Sequence, residues 1–242
     1  MVPQRESMNE KLQKHISTYE LFARYLPAIL TSVPFLLLGF ALSRRNDTRD
    51  IMAYLVSLKF FGYLSMSFIC LYFYAQLIRT TAKYFERRYF QEKRGFPTTY
   101  FMLYSDTACS DAYKDEFRSR VKKMFGFQLC TKDEEQVNMR EAIRRLNDIT
   151  KRIILHVGDG VLVGKHNQWY GFMRNLVGGS IYGAVGAALT FALGKWVLNQ
   201  NTLAYTAICL CIPYGLLVLF RRPLIVQHAE AYARQLHAEF MK

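Results

Sequence analysis

Histidine and cysteine are the residues of this chain best suited to metal binding or nucleophilic chemistry, and five of each occur. No two histidines stand four apart, the spacing that places both on one helix face, and no C-x-x-C pair is present. The odd number of cysteines, three of them in apolar stretches, predicts free thiols in a reducing cytoplasmic setting. We therefore expect no metal site, no disulfide framework and no cofactor.

Residues 158–165 (GDGVLVGK) contain the glycines and the lysine of a phosphate-binding loop, but the pattern is incomplete. The motif requires glycine where Asp159 stands and a magnesium-binding hydroxyl where His166 stands. We interpret this stretch as a turn between helices.

Acid–base catalysis would need a carboxylate and a histidine that the fold brings together. Asp106 and His156 are the candidates nearest to such a site, and no G-x-S-x-G nucleophile motif is present. Aspartate after an aromatic segment more often begins a turn. Because no acid, base and nucleophile can be paired by spacing, we do not expect an enzyme.

Two short segments combine aromatic rings with polar side chains. Residues 95–99 (GFPTT) precede Asp106, and residues 167–175 (NQWYGFMRN) come directly before an apolar stretch. Rings with polar edges favour the interface between lipid and water, so these segments predict a membrane anchor or a docking surface beside the membrane helices. The residues predicted for this interfacial surface are Pro97, Thr98, Thr99, Asp106, Trp169, Tyr170, Arg174 and Asn175.

The elements that would position these residues follow from the distribution of charge. Hydrophobic residues make up 51% of the 242, and Lys plus Arg (32) outnumber Asp plus Glu (19), for a net charge of +13. The charges are absent from residues 25–43, 175–194 and 202–220, and residues 51–78 carry only Lys59. About twenty apolar residues in a helix span the hydrocarbon core of a bilayer. The pattern therefore excludes a disordered chain and a simple soluble domain.

We predict an all-α membrane protein with four transmembrane helices in two hairpins and a mostly helical cytoplasmic insert. The predicted segments are 1–24 (cytoplasmic), 25–78 (first hairpin), 79–174 (insert), 175–220 (second hairpin) and 221–242 (a cytoplasmic amphipathic helix). The insert holds 19 basic and 12 acidic residues, and basic residues also follow the fourth span. Because cytoplasmic loops of membrane proteins are rich in Lys and Arg, both termini and the insert are predicted to be cytoplasmic. Arg44, Arg45 and Arg49 oppose this orientation but are outnumbered.

Within the insert, residues 79–93 are predicted to extend the second span as a charged helix that ends before Pro97. Residues 98–104 (TTYFMLY) favour a short strand, because they are β-branched and aromatic. Ser110 is placed to cap a following helix, and Thr131 with Glu134 forms a capping box that we expect to open the clearest helix of the chain. The apolar stripe of that helix, which predicts a core face, is Met139, Ala142, Leu146, Ile149 and Ile153.

The third span is rich in small residues spaced for close helix contact. Gly179, Gly183 and Ala187 are four apart, with Gly186 beside them. Such residues let helix backbones approach closely in lipid. We expect this face to form the contact of a homo-oligomer, with packing inside one chain as the alternative. The middle of each span lacks Asp, Glu, Arg and His, which argues against a proton-coupled transporter.

A basic cluster follows the second span, and its members are Arg87, Arg88, Lys93 and Arg94. Each well-placed basic residue contributes about 1 kcal/mol of attraction to an anionic leaflet. The cluster predicts binding of membrane lipid or of a cytoplasmic protein partner. No nucleic-acid-binding module is recognisable, so nucleic acid is not an expected partner.

The PTT segment before Asp106, together with the YGFMRN segment that enters a glycine-rich span, resembles small, largely uncharacterised four-span bacterial membrane proteins, some of them encoded beside antiphage defence genes. The resemblance covers residues 90–180 by motif and the remainder by topology. It implies an inner-membrane effector or sensor of phage defence that perturbs or gates the membrane, and no known active site. The alternative hypothesis is a membrane scaffold whose basic insert recruits a soluble partner or anionic lipid.

Overall fold

The computed structural model describes residues 19–45, 58–92, 95–157 and 160–242, and within those ranges all regular structure is helical. An all-α fold is therefore confirmed for the described part of the chain. The helices are α1 (Leu26–Arg45, entered through a π-helical turn at Leu21–Tyr25), α2 (Leu58–Glu92), α3 (Pro97–Tyr100), α4 (Asp111–Phe125), α5 (Lys132–Val137), α6 (Met139–Val157), α7 (Val161–Trp196), α8 (Asn201–Leu219) and α9 (Arg221–Phe240).

Three stretches of the described chain are helical, long and apolar enough to cross a membrane. They are Leu21–Leu42, Val161–Trp196 and Asn201–Leu219, which overlap the first, third and fourth predicted spans. The second predicted span begins outside the described residues, and its remainder lies in α2. The part of the chain that the structure describes thus contains three candidate membrane spans, as expected of a membrane protein.

The chain divides into two compact units. Of the described residues, the first unit contains those up to Phe85 together with Gly171–Leu224, and the second contains those from Glu86 to Tyr170 and from Ile225 to Lys242. Residues 225–240 of the C-terminal helix α9, which the sequence predicts as part of a separate segment 221–242, lie in the same unit as most of the insert.

The first unit is a helical bundle whose interior contains hydroxyl groups. The Tyr74 hydroxyl donates to the Thr31 carbonyl over 3.2 Å, and the hydroxyls of Thr81 and Tyr182 lie 2.7 Å apart. Large apolar side chains point away from this interior, among them Phe40, Phe68 and Phe73, each at least 59% exposed. An exposed apolar surface of this kind suits a lipid environment.

The second unit has its own apolar core, formed by side chains of α3, α4, α6 and α9 together with the first turn of α7. Ser110 caps α4 as predicted, its hydroxyl accepting a hydrogen bond from the Tyr113 amide. The predicted stripe of α6 is confirmed as core: Ala142, Leu146, Ile149 and Ile153 are buried, and Met139 packs against the same core partly buried.

Two local predictions for the insert were wrong. Residues 97–100 form the helical turn α3 rather than a strand, because Pro97 occupies the first helical position, where its fixed φ and missing N–H favour a helix start. The capping box of Thr131 and Glu134 is present, but it opens the short helix α5. The long helix α6 begins after Asn138, whose side-chain oxygen accepts the Glu141 amide over 3.1 Å.

Helices α2 and α7 approach closely at Gly178, where a Cβ would lie 2.9 Å from the Cα of Ala82 and 3.0 Å from its amide nitrogen. We predict that Gly178→Ala forces α2 and α7 apart and lowers the free energy of unfolding by about 1–3 kcal/mol. Thermal unfolding of the purified protein in detergent measures this. Gly39→Ala is the control, since nothing lies within 4 Å of its Cβ position. Equal stability of the two variants would contradict the close approach.

Candidate functional site

The predicted interfacial residues of the 95–106 segment lie inside the second unit. Pro97, Thr98 and Thr99 are buried, and the Thr99 hydroxyl donates to the Asn147 side-chain oxygen over 2.7 Å. These residues therefore stabilise the core of the unit, which leaves little of them available as a docking surface.

Asp106 begins a turn, which is the structural role that aspartate most often has at such a position. Its side chain accepts the Ala108 amide over 2.8 Å, and its carbonyl accepts a hydrogen bond from the buried ammonium of Lys114. His156 lies elsewhere, at the end of α6, with its ring 6.0 Å from that of Phe125. The structure provides no contact that pairs Asp106 with His156 for catalysis.

The Asp106 turn is held by a buried ion pair that sequence reasoning missed. The Glu135 carboxylate accepts the amides of Tyr104 and Ser105, each over 3.0 Å, and lies 3.6 Å from the Arg118 guanidinium. Arg118 also donates to the carbonyls of Met102 (2.9 Å) and Cys130 (3.0 Å) and stacks over the Tyr104 ring. One carboxylate and one guanidinium thereby fix α4, α5 and the segment after α3 together.

Removing one partner of a buried pair leaves the other charge desolvated, which is costly. We predict that Glu135→Gln destabilises the second unit by about 2–4 kcal/mol. The destabilisation is measured by hydrogen–deuterium exchange on the full chain in detergent. It should appear as a loss of protection in peptides that cover residues 100–120. Asp148→Asn is the control, because it breaks only the exposed pair with Lys151 and should change exchange little. Equal protection in the two variants would show that the turn does not depend on Glu135.

His237 is the most deeply buried titratable ring of the second unit. It packs edge-on to Phe117 at 5.5 Å, and its Nε2 lies 3.0 Å from the Thr98 carbonyl, while Nδ1 has no hydrogen-bond partner. Burial lowers the pKa of His237 from 6.5 to about 4, and the Thr98 hydrogen bond opposes this only in part. The imidazole is therefore neutral in the folded protein at pH 7, which suits a core residue.

The His237 imidazole binds a proton more weakly in the folded state than in the unfolded state. The second unit therefore loses stability as pH falls from about 6.5 towards 4. The full loss is roughly 3 kcal/mol, from the difference between the two pKa values. We predict that His237→Gln flattens this pH dependence of hydrogen exchange in residues 96–106. His156→Gln, which changes an exposed histidine, should leave it intact. If His237→Gln kept the pH dependence of the wild type, His237 would not be the group whose protonation destabilises the unit.

Residues 167–175 lie within α7, and their side chains differ in how far they are exposed. Trp169 is 50% exposed, as an interfacial anchor requires. Tyr170 is buried in the second unit, where its hydroxyl bonds to the buried carboxylate of Glu86. Asn175 is buried in the first unit and donates to the Ala23 carbonyl over 2.6 Å, and Arg174 is half-buried there. Tyr170 and Asn175 thus serve packing, and Trp169 is the member that suits a lipid interface.

The glycine face of α7 contacts helices of its own chain. A Cβ at Gly179 would lie 2.8 Å from the Thr31 hydroxyl, one at Gly183 3.1 Å from the Tyr214 ring, and one at Gly186 2.7 Å from the Phe35 ring. Ala187 is fully buried. The alternative of packing inside one chain therefore accounts for these residues, and Gly183→Leu would first displace Tyr214. A contact between copies through this face stays a prediction.

Of the predicted basic cluster, Arg87 and Arg88 are exposed on α2, and Lys93 and Arg94 lie outside the described residues. A shallow hollow of about 340 Å³ elsewhere in the second unit is lined by Arg120, His156 and Lys242, but Glu239 there pairs with Lys242 over 2.7 Å.

The cysteines and carboxylates form no reactive or metal-binding constellation in the described part of the chain. No three His, Cys, Asp or Glu side chains among those residues come together as ligands. Burial raises the pKa of the thiols of Cys109 and Cys130, so neither is an activated nucleophile. Residues 158–159 of the loop-like stretch lie outside the described residues, and Gly164 and Lys165 lie within α7.

Comparison with known proteins found no match: no protein-family model, curated protein or solved structure resembles the chain significantly.

Proposed function

We propose that this protein is a four-span protein of the bacterial inner membrane that acts as an oligomeric effector or sensor in antiphage defence, by perturbing or gating the membrane. The observation that carries the proposal is the continuity of its helices. α2, α7 and α9 each contribute residues to both compact units, so that a folded domain and an apolar bundle share uninterrupted helices. We infer that events in the domain reach the bundle through these shared helices.

A fourth span is supported by the described part of α2. Its side chains at Met66, Phe68, Ile69 and Phe73 are exposed, while Ile78 is buried in the first unit. An apolar outer face and a packed inner face are what a membrane helix at the edge of a bundle requires. The charges of residues 79–94 and 221–222 support a cytoplasmic location for the second unit and both termini.

The effector role is supported by the polarity of the bundle interior. Among the described residues, this interior contains hydroxyls but no buried charged side chain. This favours structural movement of packed helices over proton-coupled transport. The defence context is supported by the resemblance of residues 90–180 to four-span proteins encoded beside antiphage genes.

The decisive experiment follows membrane potential in phage-infected bacteria that express the protein. We predict depolarisation with the wild type and its loss with Met173→Pro, because proline removes a backbone hydrogen bond of α7 between its two parts. Met173→Ala, which keeps the helix intact, should behave like the wild type. A membrane potential that stays intact with the wild type during infection would refute the effector role.

The scaffold alternative is favoured by the exposure of Arg87 and Arg88. The effector and scaffold functions are separated by measuring how strongly the full chain in nanodiscs binds anionic vesicles. The Arg87→Ser/Arg88→Ser variant is compared with the exposed control pair Lys122→Ser/Lys123→Ser. A selective loss in the first variant, with no depolarisation by the wild type, would replace the effector by the scaffold.

A further inference from the structure

An exposed apolar surface with basic neighbours lies in the second unit, where α6 ends and α7 begins. Leu155 is 85% exposed, and Val161 and Leu162 are 69% and 50% exposed. Lys151 stands one turn before Leu155, Lys165 stands one turn after Val161, and both lysines are exposed. These five residues are here named the apolar tip. Several large apolar side chains exposed together on a folded domain mark a surface that binds a partner.

The core behind the apolar tip holds it in place. Ile153, Val157 and Val163 are buried in the core of the second unit. The Gly160 amide donates to the Val157 carbonyl over 2.9 Å, which keeps the end of α6 beside the start of α7. The side chains that face outwards here are therefore presented by a fixed backbone, and a partner that binds them need not order it first.

A hollow of about 400 Å³ lies at the opposite end of α6, and is here named the acidic hollow. Its lining includes Cys130, Asp133, Glu134, Val137, Glu141 and Arg145. Val137 is 89% exposed, so an apolar side chain is accessible there as well. Glu141 pairs with Arg145 over 2.9 Å, and the exposed carboxylates of Asp133 and Glu134 therefore make the hollow negative.

The apolar tip and the acidic hollow are complementary but cannot meet within one chain. Glu141 and Leu155 are 14 residues apart on the same helix, which separates them by about 21 Å along its axis. Acidic residues near a helix start and basic residues near its end also favour the helix dipole. The dipole explains the placement of the charges but not the exposure of Leu155 and Val137.

We propose that the apolar tip of one copy of this chain occupies the acidic hollow of a second copy, head to tail. Leu155 enters the hollow beside Val137, and the lysines of the tip face the carboxylates of Asp133 and Glu134. Opposite charges orient such a contact, and apolar burial stabilises it. A contact between two different surfaces of the same protein builds rings or rows of copies. The inference rests on the proposed function in one respect, since it names a contact of the proposed oligomer.

Reversal of charge tests the electrostatic part of the contact. Lys151→Glu combined with Lys165→Glu should weaken self-association of the full chain in mild detergent by about tenfold or more, because like charges then face each other. Asp133→Lys should weaken it in the same direction, and Glu134 is left unchanged because it caps α5. A mixture of the two reversed chains should associate better than either chain alone. Sedimentation velocity measures the apparent dissociation constant, and Lys123→Glu, on the exposed surface of α4, is the control.

Truncation of Leu155 tests the apolar part. Leu155→Ser should weaken self-association by about tenfold or more, as expected when a leucine side chain no longer becomes buried in the complex. Because this side chain is 85% exposed, the thermal unfolding of the variant should match that of the wild type. That match separates loss of the contact from loss of the fold.

Cross-linking tests the head-to-tail arrangement. Two chains without other cysteines are coexpressed, one with Leu155→Cys and one with Val137→Cys, and the membranes are oxidised. A disulfide requires Cα atoms closer than about 7 Å, so a cross-link between the two chains places the tip in the hollow. Each chain expressed alone should stay uncross-linked. A cross-link in the Leu155→Cys chain alone would show a tip-to-tip contact and overturn the inference.

The outcomes separate this inference from the proposed function. Wild-type association in both Leu155→Ser and the lysine-reversed chain overturns the contact, and loss of binding to anionic vesicles by those variants would assign the tip to lipid instead. Weakened association together with the cross-link supports the contact, even if the wild type leaves the membrane potential of infected cells intact. That second result would refute only the effector role.

Discussion

The proline at position 34 sets the constraint on which packing in the first unit depends. Pro34 lies inside α1 and has no N–H, so the carbonyl of Leu30 loses its partner in the helix. Inside a bilayer such a group must be satisfied by protein, since no water is available. The Tyr214 hydroxyl of α8 donates to this carbonyl over 2.7 Å, and the Thr190 hydroxyl of α7 donates to the carbonyl of Pro34 itself over 2.9 Å. The carbonyl that Pro34 leaves unpaired in α1 thereby becomes the acceptor that holds α8 against α1.

The glycines of α7 follow from the same requirement. Tyr214 can place its ring against α7 because Gly183 has no side chain there, and Phe35, next to the proline, packs over Gly186 in the same way. In the second unit, unpaired backbone groups are satisfied by charged side chains. Glu135 accepts amides of the turn after α3, and Arg118 donates to a carbonyl there. In both units a small number of buried polar contacts determines which helices pack together, and apolar burial supplies the bulk of the stability.

The sequence predicts features that depend on local chemistry or on periodicity. The apolar stretches, the Ser110 cap and the stripe from Ala142 to Ile153 were predictable because each is encoded within one element. The prediction of a strand at residues 98–104 was wrong because it rests on side-chain composition, whereas the helix-starting geometry of Pro97 determines the local structure. The partners of Gly178, Glu86 and Glu135 could not be predicted, since each is 17 or more residues away along the chain and no spacing encodes it.

Tyr170 shows why composition alone misjudges residues at a boundary between apolar and polar regions. A ring with a hydroxyl suits a lipid interface and equally suits a buried hydrogen bond, and the difference depends on whether a carboxylate is nearby. Trp169 is its neighbour on the same helix and is exposed, whereas the Tyr170 hydroxyl meets Glu86. A helix rotates by about 100° per residue, so adjacent aromatic residues face different surroundings and take different roles. An aromatic segment at the end of a membrane helix therefore has to be assigned residue by residue: one ring can anchor the helix in lipid while the next connects it to the domain.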